Sequence, residues 1–223
     1  MNDQRAELKW RDGGVPVSTR FDDPYFSIDD GLAETRHVFL AGNDLPARFT
    51  DGFHIAELGF GTGLNLLTAW QAFLDSRTSG KLHFTSFEAF PMTQADAKTA
   101  LRAFPTLADL AEPLLEAWSE TSFILDTDTL RAEIVIGDAR DTVRAMRHDA
   151  DAWFLDGFSP AKNPELWGDE LMQEVGWKTG PGGSFATYTA AGHVRRALEG
   201  AGFTVERVPG FGRKRHMSVG RLA

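Results

Sequence analysis

The 223-residue chain contains no cysteine, which excludes disulfides and thiolate metal sites. It also has no apolar run near the twenty residues of a membrane span. Met1-Asn2-Asp3-Gln4-Arg5 lacks the apolar stretch of a secretory leader. The expected location is the cytoplasm, with no membrane partner. Its histidines (His37, His54, His83, His148, His193, His216) are scattered without metal-ligand spacing, so no metal is expected. Repeats, low-complexity segments and long linkers are missing, and the length suits one domain with a small N-terminal elaboration. Positive charge is scarce as well: the net charge is −9, whereas proteins that grip nucleic acid by its phosphates are usually basic. The plain reading is an acidic enzyme of small molecules. The scarcity is uneven, however. Residues 207–221 carry Arg207, Arg213, Lys214, Arg215 and Arg221 and no carboxylate. That is either a local basic patch or a strand edge guarded by cations.

What is present begins with a 42% hydrophobic content, enough for a full core, and with Glu57-Leu58-Gly59-Phe60-Gly61-Thr62-Gly63-Leu64-Asn65. This stretch follows an apolar run and opens an apolar-periodic one, so it reads as strand, glycine turn and helix. Glycines at alternate positions let backbone N–H groups close on a ligand, and the helix N-terminus favours an acceptor-rich group. The third glycine comes one residue earlier than in the dinucleotide fingerprint G-x-G-x-x-G. The pattern is similar to the opening of class I S-adenosylmethionine methyltransferases.

Strands are expected at 53–60, 82–87, 131–136, 152–155, 183–188, 203–208 and 216–221. Helices are expected at 31–40, 64–74, 93–104, 107–118, 140–146, 164–177 and 191–200. The alternation argues for an α/β fold with a mostly parallel sheet covered on both faces. No crossover helix fits between the last two strands, so that pair must be antiparallel. The expected fold class is a Rossmann-like methyltransferase sheet with one antiparallel C-terminal strand. Arg11-Asp12-Gly13-Gly14-Val15-Pro16 predicts a β-hairpin ahead of it. The expected division is an extension over 1–50 packed on a methyltransferase domain over 51–223.

Ligands of open α/β sheets lie beyond the carboxyl ends of the strands. Glu57, Glu88, Asp138 and Asp156 fall there on successive strands. An acidic rim suits a cationic sulfonium and amine, a ribose diol and an adenine amino group. Glu88 is expected at the ribose hydroxyls, Asp138 at the adenine amine, and Glu57 at the glycine turn or the methionine amine. Helix capping is the bland alternative for Asp138 and Asp156.

Asp156-Gly157-Phe158-Ser159-Pro160-Ala161-Lys162-Asn163-Pro164 opens into the same crevice. A carboxylate there suits an aliphatic amine acceptor. Such an amine, with a pKa of roughly 10, is mostly protonated; Asp156 would attract it, orient it and help remove a proton. The lack of cysteine excludes carbon methylation through a thiol nucleophile and radical chemistry on an iron–sulfur cluster. Tyr25 and Phe26 would line a base pocket, since aromatics stack bases, or form a structural lid.

The stretches Asp23-Pro24-Tyr25-Phe26-Ser27, Glu34-Thr35-Arg36-His37-Val38-Phe39, the glycine turn, the Asp156 loop and Gly210-Phe211-Gly212-Arg213-Lys214-Arg215 together resemble the MnmC/MnmD methyltransferase family over nearly the whole chain. The resemblance implies methyl transfer from S-adenosylmethionine to the amine of 5-aminomethyl-(2-thio)uridine at the tRNA wobble position, with S-adenosylhomocysteine as product. It implies a cofactor site of Glu57, Gly59, Phe60, Gly61, Gly63, Asn65, Glu88, Asp138 and Asp156. Asp156 would contact the amine. Tyr25, Phe26, Phe158, Lys162, Arg213, Lys214 and Arg215 would lie on the side of the tRNA anticodon stem-loop. Many family members carry a C-terminal FAD-dependent oxidase domain. This chain ends at Ala223, so no FAD is expected in it, and a separate oxidase becomes a partner. The chain also departs from the family pattern at His216, where an acidic residue usually follows the basic triplet. Alternatives are a small-molecule amine methyl- or aminopropyltransferase, an NAD-dependent oxidoreductase, disfavoured by the glycine spacing, and a non-catalytic module that binds S-adenosylmethionine or tRNA.

Overall fold

The computed structural model describes residues 4–27 and 30–222; Met1, Asn2 and Asp3, read above for a leader, lie outside them. In chain order the elements are β1 (Leu8–Arg11), β2 (Val15–Ser18), β3 (Asp23–Pro24), α1 (Gly31–Thr35), β4 (His54–Leu58), α2 (Leu64–Asp75), β5 (Leu82–Glu88), α3 (Gln94–Leu101), α4 (Ala108–Ala117), β6 (Phe123–Asp126), β7 (Leu130–Ile136), α5 (Ala139–Thr142), β8 (Ala150–Leu155), α6 (Asp169–Trp177), β9 (Thr179–Thr187), α7 (Gly192–Gly200), β10 (Phe203–Pro209) and β11 (His216–Leu222). α1 runs on into a π-helical turn, Arg36–Leu40.

The main sheet has the order β10-β11-β9-β8-β4-β5-β7-β6. Its centre, β9-β8-β4-β5-β7, is parallel. β11 lies antiparallel between β9 and β10, as the short final connection requires. Strand β6, antiparallel to β7 at the other edge, was not expected. It is four residues long with Ile124 half exposed, too short and one-sided to register as a buried strand. The N-terminal hairpin β1–β2 gains a short third strand, β3.

Several helices are shorter than their periodicity suggests. The segment expected over 93–104 stops at Leu101, and Pro105 opens a separate 3-10 turn. The one expected over 164–177 is broken at Gly168, whose extended backbone (φ −72°, ψ 154°) separates the turn Pro164–Trp167 from α6.

Strand alternation builds two cores. On β8, Ala152 and Phe154 face the layer containing Leu66, Leu67 and Phe73 of α2, while Trp153 and Leu155 face Leu171 and Val175 of α6. Full burial of each such large side chain stabilises by about 1.5–3 kcal/mol, which fixes the central strands and the loops at their carboxyl ends. Among the described residues no helix is long and apolar enough to cross a membrane.

Candidate active site

A cavity of about 500 Å³ opens over the carboxyl ends of β4, β5, β7, β8 and β9, with walls from the N-terminal segment and the β10–β11 connection. Its floor is the glycine turn. Gly59, Gly61 and Gly63 have φ of 82°, 54° and 79°, the left-handed region that disfavours side chains. A Cβ on Gly59 would stand 3.0 Å from the Cα of Gly157. The turn and the Asp156 loop are thus in backbone contact. A Cβ on Gly61 would stand 3.1 Å from the ring of Tyr25.

Glu88, at the end of β5, accepts from the backbone N–H of Gly61 at 2.9 Å and of Phe90 at 2.8 Å. Burial raises its pKa against these donors. The Ala89 N–H also favours its charged form, and Glu88 lines the cavity.

Asn65, in the first turn of α2, joins two acids. Its Nδ2 donates to Glu57 Oε1 at 2.9 Å and to Asp156 Oδ2 at 2.8 Å. Thr35 donates to Asn65 Oδ1 at 2.9 Å, which fixes which side of the amide carries the donors. Ser86, the β5 register partner of Glu57, donates to Glu57 Oε2 at 2.6 Å. Glu57 is wholly buried, lies outside the cavity lining and reaches the helix after the glycine turn through Asn65. Burial drives its pKa well up, opposed by Ser86 and Asn65 and reinforced by Asp156 and Glu88.

Asp156 lines the cavity. Its Oδ1 accepts from the Gly157 N–H at 2.8 Å. Burial pushes its pKa up to about 6; Asn65, Gly157 and Lys214 hold it down, and Glu34 pushes it up.

The other expected residues divide. Asp138 lines the cavity but also caps α5 and is gripped by the Arg140 guanidinium, with Nη2 at 2.5 Å. That grip holds its pKa below the usual carboxylate range despite partial burial. The cap role and the cavity position coexist. Phe60 is buried against Trp118, with centroids 5.1 Å apart. Phe158 stacks on Phe21 at 4.6 Å and meets Tyr25 edge-on at 5.0 Å. Phe26 meets Phe104 edge-on at 4.9 Å. Tyr25, Phe26 and Phe158 all line the cavity.

Lys162 is absent from the cavity lining. Its ammonium donates to the Asp22 carbonyl and lies 3.3 Å from Asp23, whose other oxygen accepts from the Ser159 N–H at 2.9 Å. It ties the N-terminal sheet to the Asp156 loop. Of the basic triplet, Arg213 and Lys214 line the cavity and Arg215 does not. Lys214 pairs with Glu34 at 2.8 Å and Arg221 with Asp44 at 2.5 Å, so the patch is more neutralised than the local sequence indicates.

Sequence reasoning overlooked Tyr188, which lines the cavity just past the end of β9 and donates to the Gly157 carbonyl at 2.8 Å. Its place beyond a strand's carboxyl end was the available signal. Glu34 and Thr35 were noted only as part of a polar stretch; no local pattern shows that they meet Lys214 and Asn65.

Comparison with known proteins adds identity to this geometry. The sequence model of a family described as S-adenosyl-L-methionine-dependent methyltransferase matches residues 105–223. The "tRNA 5-methylaminomethyl-2-thiouridine biosynthesis bifunctional protein MnmC" of Marinomonas sp. (strain MWYL1) is 46% identical over 225 residues, covering 96% of this chain and 33% of the relative. The protein of the same name from Chromobacterium violaceum is 45% identical over 234 residues, covering 100% of this chain and 35% of the relative. The chain thus spans about a third of the length of these relatives. The crystal structure of MnmC2 from Aquifex aeolicus superimposes with a TM-score of 0.80 at 25% identity, covering 99% of this chain and 72% of that one. With the glycine turn, the acidic crevice and the sheet order in agreement, the chain belongs to the family of S-adenosyl-L-methionine-dependent methyltransferases.

Proposed function

We propose that this chain transfers a methyl group from S-adenosylmethionine to the amine of 5-aminomethyl-(2-thio)uridine at the wobble position of tRNA, giving 5-methylaminomethyl-(2-thio)uridine. The observation that carries the reading is Asp156: a partly buried carboxylate on the wall of an aromatic cavity, held by Asn65 and the Gly157 N–H and pushed up to about 6 by desolvation. The names of the relatives from Marinomonas and Chromobacterium support the choice of substrate.

The residues present fit the cofactor. The glycine turn exposes backbone without side chains, Glu88 presents a carboxylate to the cavity with acceptor capacity left for a ribose hydroxyl, and Asp138 lies on the same cavity wall. Bound there, S-adenosylmethionine supplies an electrophilic methyl group on a sulfonium. The chain's own residues do the rest. Asp156 has two accepted hydrogen bonds and further lone pairs for an ammonium. It draws the substrate amine in, takes up a proton, and leaves the nitrogen lone pair free to attack. Asn65 and the Gly157 N–H hold the carboxylate in one orientation, which contributes by alignment. Tyr25, Phe26 and Phe158 supply faces on which an unstacked base can rest.

Arg213, Lys214 and Arg215 would meet the anticodon stem-loop. Residues 1–50 would act as an extension packed on the methyltransferase core of 51–223. An FAD-dependent oxidase activity would supply the aminomethyl form, and the cytoplasm would be the site of action. The test is transfer of labelled methyl to two tRNA pools, one carrying 5-aminomethyl-2-thiouridine and one unmodified at the wobble position, with the product located by nucleoside mass spectrometry. Methylation of the first pool alone is expected. Equal labelling, or none with cofactor still bound, would overturn the reading and turn attention to small amines.

A further inference from the structure

The ammonium of Lys214 lies 2.8 Å from Glu34 Oε1 and 4.0 Å from the centre of the Tyr188 ring. A carboxylate beside an aromatic face is a chemically specific way to hold an alkylammonium. Glu34, Tyr188, Lys214 and Asp156 all line the same cavity. The lysine side chain is thus a primary amine on a methylene, seated in the cavity of an enzyme whose acceptor is read above as a primary amine on a methylene.

Resting on that amine-acceptor reading, we propose that Glu34 and the face of Tyr188 form the recognition site for the substrate ammonium, and that Lys214 fills it as an internal stand-in until substrate displaces it. Three observations favour a built site with a replaceable occupant. The Glu34 side chain is 15% exposed and that of Lys214 45%, so the acid belongs to the wall and the lysine to the solvent side. Tyr188 is fixed: its hydroxyl donates to the Gly157 carbonyl at 2.8 Å, and its ring meets Trp167 edge-on at 87°. The Tyr188 anchor is also the residue next to Asp156, so an ammonium handed from the ring to the transfer carboxylate moves within one wall. Exchange of one ammonium for another leaves the cavity's charge unchanged, which removes most of the electrostatic cost of opening the Lys214 contact. Glu34 and Tyr188 are therefore specificity determinants for the acceptor, and a C5 substituent without positive charge gains nothing from them.

Two measurements test this. The first needs no tRNA. Titration of n-butylammonium, with n-butanol as neutral control, into Lys214→Ala should show saturable binding at least about tenfold tighter than to the unaltered protein. Adding Glu34→Gln should abolish it. Binding no better than to the unaltered protein, or binding that survives Glu34→Gln, would overturn the proposal. Thermal unfolding checks that each variant is folded, and Lys214→Gln, which keeps most of the side chain, replaces Lys214→Ala if it is not. The second measures affinity, with S-adenosylhomocysteine present, for tRNA with and without the 5-aminomethyl group. Glu34→Gln and Tyr188→Leu should bring the ratio of the two affinities to about one. A ratio unchanged in Glu34→Gln overturns the proposal. A ratio of one in the unaltered protein would sink the tRNA reading instead, and the butylammonium result would still decide the ammonium site.

Discussion

Asn65 Nδ2 donates to Asp156 Oδ2 at 2.8 Å, and Thr35 fixes the orientation of that amide from the other side at 2.9 Å. The carboxylate at the proposed transfer point is therefore aimed by a residue in the glycine-turn helix. The same residue reaches Glu57, so one amide couples the strand before the glycine turn to the Asp156 loop. Replacing it with leucine, of similar volume, leaves both carboxylates short of a donor. Asn65→Leu should lower kcat by about ten- to a hundredfold, the range of a lost hydrogen bond to a charged group, with a smaller effect on KM. Thr35→Val should do the same more weakly, and steady-state kinetics checks both.

Burial places Asp156 at about 6 against an ordinary 3.8. The fold therefore prefers the neutral carboxyl. Its contribution to stability is complete below about pH 4 and is lost as pH rises through about 6. The proton uptake proposed for Asp156 needs the opposite, ionised form. Since the ammonium is the form drawn in, the kcat/KM profile should fall as pH drops through about 6 because Asp156 is protonated there. Asp156→Asn should lack that acid limb in its residual activity.

Gly59 and Gly182 both have positive φ, 82° and 71°, but a Cβ meets Gly157 backbone at 3.0 Å in the first case and nothing within 4 Å in the second. Gly182→Ala should cost only the backbone strain of about 1–2 kcal/mol. Gly59→Ala should cost more, because neither backbone segment can yield, and should also abolish cofactor binding. Thermal unfolding with and without S-adenosylmethionine separates the two.

Much of this site was legible in the sequence, because it is built from local patterns at strand ends. The turn glycines, Glu88, Asp138 and Asp156 each follow a strand that its apolar run identified. What stayed hidden depends on contacts between distant segments. Glu34 meets Lys214 and Thr35 meets Asn65 only after the N-terminal segment folds over the crevice. Lys162 looked like a substrate contact, yet the N-terminal sheet brings Asp22 and Asp23 to it. Strand β6 escaped because its four residues gain strand character only from the edge of β7.

Glu88 holds the N–H groups of Gly61 and Phe90 on its two oxygens. A glutamine presents an NH2 to one of them. Glu88→Gln should weaken S-adenosylmethionine binding by about ten- to a hundredfold with little loss of overall fold, as calorimetry and circular dichroism would show.

Arg215 is exposed at the β10–β11 connection and does not line the cavity. If it meets a phosphate, Arg215→Gln should weaken binding similarly for all tRNAs and reduce the salt slope of log affinity by about one. Binding titrations over a series of salt concentrations check this.

On the proposed function, Asp156 acts on the acceptor amine at transfer. Single-turnover methyl transfer to tRNA carrying 5-aminomethyl-2-thiouridine, by the unaltered protein and by Asp156→Asn, with S-adenosylmethionine affinity measured in parallel, tests it most directly. The expected result is cofactor affinity within a few-fold and transfer slower by about a hundred- to ten-thousandfold. Transfer within a few-fold of the unaltered rate would contradict the assignment.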